Sequence, residues 1–181
     1  MKLNGFHGTT KNRAIAIKKN AFTIPDYSDK VPSDLGGGVY FFIEDERFQP
    51  PNFLACQYAL IYKAKKVSSD VEVISVNVES DKVLDLDLEE NQNNFNLVRN
   101  MFMKNFFERF TDLNSNIKKH GNLDGFILNK LIEANMFTSQ SEQPQVIIKS
   151  TYTPFCKGTV SNVPNGKEMS VRDVDLIHLA N

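Results

Sequence analysis

Tryptophan is absent from this chain, cysteine occurs twice and histidine three times. Two cysteines as far apart as Cys56 and Cys156 cannot build the disulfide framework of a small secreted domain, and neither has a Cys or His partner at zinc-site spacing. Cys56 falls in an apolar helical pattern and reads as a buried free thiol. Long apolar runs are missing too, and none approaches the ~20 residues that a membrane-spanning helix needs. No excess of charge is present: 21 Lys and Arg stand against 22 Asp and Glu, for a net charge of -1. That balance, with a pI near 6.3, excludes the broad basic footprint of a non-specific nucleic-acid binder. Lys63, Lys65 and Lys66, and likewise Lys118 and Lys119, read as solvated helix ends. Asp85, Asp87 and Asp124 match no metal-hand spacing, and no phosphate loop, internal repeat or low-complexity tract is visible. With no apolar leader before the first histidine, the expectation is a cytoplasmic protein with no membrane association.

What is present suffices for a core: 181 residues, 41% of them hydrophobic, fit a single domain over residues 1–181. Lys2 to Phe6 reads as a strand. Thr10 is placed to cap a helix from Lys11 to Lys19, with Asn20 in the left-handed position after it. Thr23 to Gly38, with Pro25, Pro32 and three glycines, reads as an irregular loop of the kind that carries function. Val39 to Ile43 is a short strand. Pro50-Pro51 blocks a helix interior, so Asn52 is expected to cap a helix from Phe53 to about Lys65.

Further on, Val71 to Val78 is a strand whose alternation changes phase at Val73-Ile74, implying a bulge or burial on both faces. Asn91 to Asn94 reads as a polar break before a helix that carries Phe95, Val98, Met101, Phe102, Phe106 and Phe110 on one core-facing stripe. Gly125 to Leu128 and Gln145 to Lys149 read as strands separated by a polar segment, and Val171 to His178 as a last strand or a short helix. Helices and strands without a regular alternating period predict an α+β domain.

Two blocks carry chemistry. In Phe6-His7-Gly8-Thr9-Thr10, at a strand end, His7 offers a ring nitrogen and Thr9 a hydroxyl. The N–H and C=O of Gly8 together suit a carboxamide. In Leu35-Gly36-Gly37-Gly38-Val39-Tyr40-Phe41-Phe42, a glycine loop that can approach a ligand precedes an aromatic on a rigid strand, with Ala55-Cys56-Gln57-Tyr58-Ala59 downstream. His120, at the end of a basic helix, and His178, in an apolar tail, read as structural.

Taken together these blocks resemble the ADP-ribosyltransferase superfamily, in its diphtheria-toxin-like and poly-ADP-ribose-polymerase-like His-Tyr-Glu branch. The resemblance covers about the first sixty residues well and the remainder by order of elements. It implies a split β-sheet core with flanking helices, and NAD+ as a substrate used without a metal. His7 matches the histidine that contacts the adenosine-side ribose, and Gly8 the glycine whose backbone holds the nicotinamide amide. Thr9 stands where the family often has Ser or Thr. Gly38 and Tyr40 match the Gly-x-Gly-Ile-Tyr-Phe pattern whose tyrosine packs on nicotinamide. Tyr58 falls where a second residue lines that pocket.

The family's glutamate, just before a late strand of alternating apolar residues, corresponds to Gln145 in Pro144-Gln145-Val146-Ile147-Ile148. An amide there keeps the hydrogen bond but loses the charge that stabilises an oxocarbenium-like state, at a cost on the order of 2 to 4 kcal/mol in the barrier. Gln145 is therefore native to a mono-transferring enzyme, or stands where a Glu was replaced, or the acid is Glu142. The resemblance implies a mono-ADP-ribosyltransferase of the stand-alone toxin type, from a toxin-antitoxin or phage-defence system. Its partners would be a macromolecular acceptor, protein or nucleic acid, and an antitoxin protein. The rival readings are an inactive NAD+ or ADP-ribose binding module, and an NAD-independent ribonuclease using His7 and His120. Hydrolysis of NAD+ differs from the main reading only in using water as acceptor.

Overall fold

A computed structural model describes residues 1–25, 33–65, 67–106, 123–134, 143–156 and 161–180. Lys66, Phe110, Lys118, Lys119, His120 and Glu142 lie outside these residues. The architecture is α+β, with one seven-stranded mixed sheet and, among the described residues, four α-helices. Strands β1 (Lys2–Thr10), β2 (Val39–Ile43), β3 (Val71–Glu79), β4 (Val83–Asp85), β5 (Val146–Thr151), β6 (Gly166–Val171) and β7 (Ile177–Leu179) lie in the order β4-β5-β6-β2-β1-β3-β7. The helices are α1 (Lys11–Asn20), α2 (Pro51–Tyr62), α3 (Glu89–Phe106) and α4 (Leu123–Glu133). No helix among the described residues is long and apolar enough to cross a membrane.

Alternation along the strands divides the core into two layers. Val39, Phe41, Ile43, Ile74, Val76, Val78, Val146, Ile148, Met169 and Val171 face Ala14 of α1 and Phe22. The opposite face meets α2 through Phe42, Leu54 and Ala55, and meets α3 and α4 through Phe95, Phe126, Leu131 and Ile147. The phase change at Val73-Ile74 is thus burial on both faces. The β1–β3 register runs unbroken from Lys2↔Glu79 to Thr10↔Val71, with no bulge.

Several boundaries correct the sequence expectations. β1 continues four residues past Phe6 and takes His7 to Thr10 into the sheet. Thr10 holds the N-cap position of α1 without a capping hydrogen bond, and Ala21 rather than Asn20 takes the positive φ, at 64°. Pro51 opens α2 instead of preceding it, because proline's missing N–H costs nothing in the first turn. The polar stretch Asn91 to Asn94 lies within α3, whose first turn carries Glu89 and Glu90 at the positive end of the helix dipole. Within the α3 stripe Phe95, Val98 and Phe102 pack on the core, whereas Met101 is 62% exposed. Residues 125–128 are helical, not extended. A Cβ on Gly125 would stand 1.7 Å from the Ser33 carbonyl oxygen, so glycine is there to let the 33–38 loop touch α4. Strand β4 carries no clear sequence pattern and β6 only the short alternation Met169-Ser170-Val171, and the tail divides into a 3-10 turn at Val174–Leu176 followed by β7. Cys56 is a half-buried thiol and Cys156 an exposed one, neither in a disulfide.

Candidate functional site

The two chemical blocks meet at a gap in the sheet. β1 and β2 pair only at Gly5↔Ile43 and Phe6↔Phe42, whereas β1–β3 pairing extends to Thr10. From His7 onward the β2-facing edge of β1 is released from that ladder, so the sheet is split on the side where the glycine loop enters β2.

His7 spans the start of the split. Its Nδ1 lies 2.8 Å from the Tyr40 carbonyl oxygen, an acceptor only, so Nδ1 carries the proton and Nε2 of the neutral ring is left as an acceptor. The ring packs edge-on to Phe22 and Phe41 at 5.4 and 5.8 Å between centroids. Burial lowers its pKa, opposed by the Tyr40 hydrogen bond and assisted by the Lys63 and Arg13 charges, which keeps the imidazole neutral at pH 7.

Tyr40 points to the other face and organises the loop before it. Its hydroxyl donates to the Gly36 carbonyl at 2.8 Å and accepts from the Leu35 N–H at 2.9 Å. Gly36 occupies φ 79°, where a side chain would be strained. The Gly37 N–H donates to Asn129 Oδ1 and Arg172 Nη1 donates to the Gly37 carbonyl, both at 2.8 Å. Asn129 Oδ1 also accepts from Arg172, so one amide on α4 fastens loop and β6 together. Asn129→Ala removes the acceptor of the Gly37 N–H and one acceptor of Arg172, and is expected to cost about 1 to 3 kcal/mol. Faster hydrogen exchange at the Gly37 amide is the matching signature, and unchanged protection there would refute the fastening role.

Gly8 is buried against α2: a Cβ would lie 1.8 Å from the Ala55 carbonyl oxygen and 3.1 Å from Ala59 Cβ. Tyr58, on the same helix, packs with Phe42 and Tyr62 at 6.4 and 5.0 Å between centroids, and the Lys63 ammonium stands 5.5 Å from its ring. Thr9 is only 2% exposed. Gly38 closes on β6 rather than on the split, since a Cβ would meet Ser170 Oγ at 2.3 Å. His7, Gly8, Tyr40 and Tyr58 are therefore gathered at one split. The tyrosines lie on the α2 and α4 face of the sheet and the His7 ring lies on the other.

Gln145 is not brought to them. It precedes β5, three strands from β1 or about 14 Å at ordinary strand spacing. Its amide is already engaged, Oε1 accepting from Ser80 Oγ and Nε2 donating to Asp173 Oδ2, both at 3.1 Å.

A carboxylate does lie on the face of Tyr40 and Phe42, on the strand between β5 and β2. Glu168 of β6 is the Cα partner of Phe42 on one side and of Lys149 on the other, which places it on the face of Tyr40, Phe42 and Tyr58. Thr151 Oγ1 donates to Glu168 Oε2 at 2.8 Å and Thr153 Oγ1 to Oε1 at 3.4 Å. Burial pushes this carboxyl up to about 7, with the Asp34 charge adding to the rise and the threonine hydrogen bonds opposing it. Asp34, exposed on the loop, is raised as well by desolvation of its carboxyl, against its own backbone hydrogen bond and the Lys149 charge. Tyr58 is raised by burial first and then by the charges of Glu168, Tyr62 and Asp34. The signal for Glu168 is present in the sequence: Glu168-Met169-Ser170-Val171 is an acid at the head of an alternating segment.

Asp45, Asp85, Asp87 and Asp124 are held in ion pairs. Lys167, 15% exposed, lies 3.1, 3.7 and 4.0 Å from Asp87, Asp85 and Asp45, and Asp124 pairs with Arg99 at 3.2 Å. The Arg47 hydrogen bond holds the Asp45 carboxyl down at about 2. His178 is exposed on β7 opposite Asn77. No protein-family model, curated protein or solved structure matches the chain.

Proposed function

We propose that this protein is a mono-ADP-ribosyltransferase that cleaves NAD+ and transfers ADP-ribose to a macromolecule, with Glu168 rather than Gln145 as its carboxylate. The observation that carries the reading is the meeting of His7, Gly8, Tyr40 and Tyr58 at the β1–β2 split, with Glu168 one strand beyond β2 on the face of Tyr40 and Phe42. In this reading the Gly8 backbone meets the nicotinamide amide, Tyr58 and Tyr40 wall the ring, and His7 Nε2 accepts from a ribose hydroxyl. The glycosidic C–N bond breaks with its electron pair leaving on nicotinamide. Positive charge then develops on the ribose, where ionised Glu168 stabilises it, and the acceptor attacks the same carbon and gives up a proton.

By the same reading the chain is the toxin of a toxin-antitoxin or phage-defence pair, acts in the cytoplasm and is held in check by an antitoxin protein. The test is incubation with labelled NAD+ in a lysate. Release of nicotinamide with label on protein or nucleic acid supports the transferase and names the acceptor class. Release without label makes the activity hydrolysis, and binding without release makes the chain a binding module.

A further inference from the structure

We propose that a cavity of about 340 Å³ between the start of α1 and the turn after α2 is a binding site for a phosphate or diphosphate group. Lys11, Lys63 and Lys65 line it together with Thr10 and Asn12, and Asp70 is the one acid on its wall. Lys2, Lys18, Lys130 and Lys167 all have carboxylate partners, but among the described residues none of the three cavity lysines does. Lys63 is placed against its own kind of charge: desolvation of its ammonium at the cavity wall lowers its pKa, and Arg13 lowers it further. Three cations gathered around one acid in a concave space leave a net positive field that an anion would neutralise.

The backbone adds to this field. Thr10 makes no capping bond, so the first-turn amides of the ten-residue helix α1 are not occupied by its side chain, and they carry the positive end of the dipole. Lysines act on phosphate as point charges, and a group with several anionic oxygens engages separate ammonium and amide donors at once, which one carboxylate cannot do. The cavity is within the size range of small-ligand sites. It adjoins the split without being part of it: Thr10 is two residues, or about 7 Å, beyond Gly8 along β1. Lys63 follows Tyr58 by five residues, about 7.5 Å along a helix. The site rests on charge and shape, so it holds or fails independently of the NAD+ reading.

Inorganic pyrophosphate, titrated into the whole chain by calorimetry at about 0.1 M salt, is the probe. The expected result is saturable 1:1 binding that weakens as salt rises. Lys11→Gln and Lys63→Gln should each weaken it about three- to fivefold, and Lys18→Gln, whose partner is Glu72, should not. Displacement of pyrophosphate by NAD+ assigns the site to the diphosphate of a dinucleotide, whereas simultaneous binding assigns it to a separate phosphate-bearing molecule. Absence of saturable binding, or equal affinity in the Lys11 and Lys63 variants, overturns the proposal. Both lysines are exposed, so thermal unfolding of the variants should be unchanged, which separates lost binding from a folding defect.

Discussion

Glu168→Gln is expected to lower the rate of nicotinamide release from NAD+ by about 10²- to 10³-fold while changing KM little, because it removes charge needed only in the transition state. Gln is close in size to Glu: its amide oxygen still accepts from Thr151, and its NH2 can donate to the Thr153 hydroxyl, which rotates to accept, so the fold of β6 is kept. Gln145→Glu makes the opposing case. It sets a carboxylate where the Nε2 donor now faces Asp173 at 3.1 Å, and it leaves the split unaltered. No gain in rate is expected from it, only a destabilisation of about 1 to 2 kcal/mol from the lost donor and the like-charge contact. A rate that rises in Gln145→Glu and survives in Glu168→Gln would return the catalytic position to residue 145.

The largest effect on stability is expected from Gly8→Ala. A methyl group 1.8 Å from the Ala55 oxygen and 2.6 Å from its carbonyl carbon meets helix backbone, which has no rotamer through which to escape. α2 must move off β1, opening the contact that Phe6, Phe42, Leu54 and Tyr58 share. About 3 to 5 kcal/mol is expected, at or above the usual cost of overpacking, with Tm lowered by roughly 10 °C. Gly125→Ala is the instructive comparison, since its methyl group meets the Ser33 oxygen at 1.7 Å, yet the obstacle belongs to a loop rather than to a helix. Its loss should be smaller and felt at Leu35 and Gly36, where the Tyr40 hydroxyl is tied down. Thermal unfolding of the two variants decides the matter, and an unperturbed Gly8→Ala would contradict the packing described for β1 and α2.

What can be read from the sequence follows how each segment is buried. β2 and β3 alternate or run apolar because they cross the centre of the sheet, and their limits are legible to within a residue. β6 is not, because Lys167 joins the ion cluster and Glu168 bonds Thr151, so half its residues are polar in a central strand. The same cause hides the proposed acid: two segments, Gln145-Val146-Ile147-Ile148 and Glu168-Met169-Ser170-Val171, fit an amide or acid before an alternating strand. The first is the more apolar and so the better match to the pattern, and only the sheet order shows which lies beside β2. α4 reads as a strand because a short apolar run after glycine has no visible period, and its reason for glycine is a tertiary contact with Ser33. His7, Gly8, Tyr40 and Tyr58 are legible because a strand, a glycine loop and a helix bring them together in chain order. Asp34 and Lys149 are not, since nothing local marks either residue.

The most direct test of the central claim is the pH dependence of nicotinamide release from NAD+. On the proposed reading Glu168 acts as a carboxylate, and with its pKa in the folded protein raised to about 7 the active form would be scarce in acid and accumulate as pH rises through that value. The expected rate climbs between about pH 6 and 8 with an inflection near 7, and the profile of Glu168→Gln lacks that inflection. Release that is absent at every pH, or that keeps the same inflection once Glu168 is replaced, would contradict a catalytic Glu168.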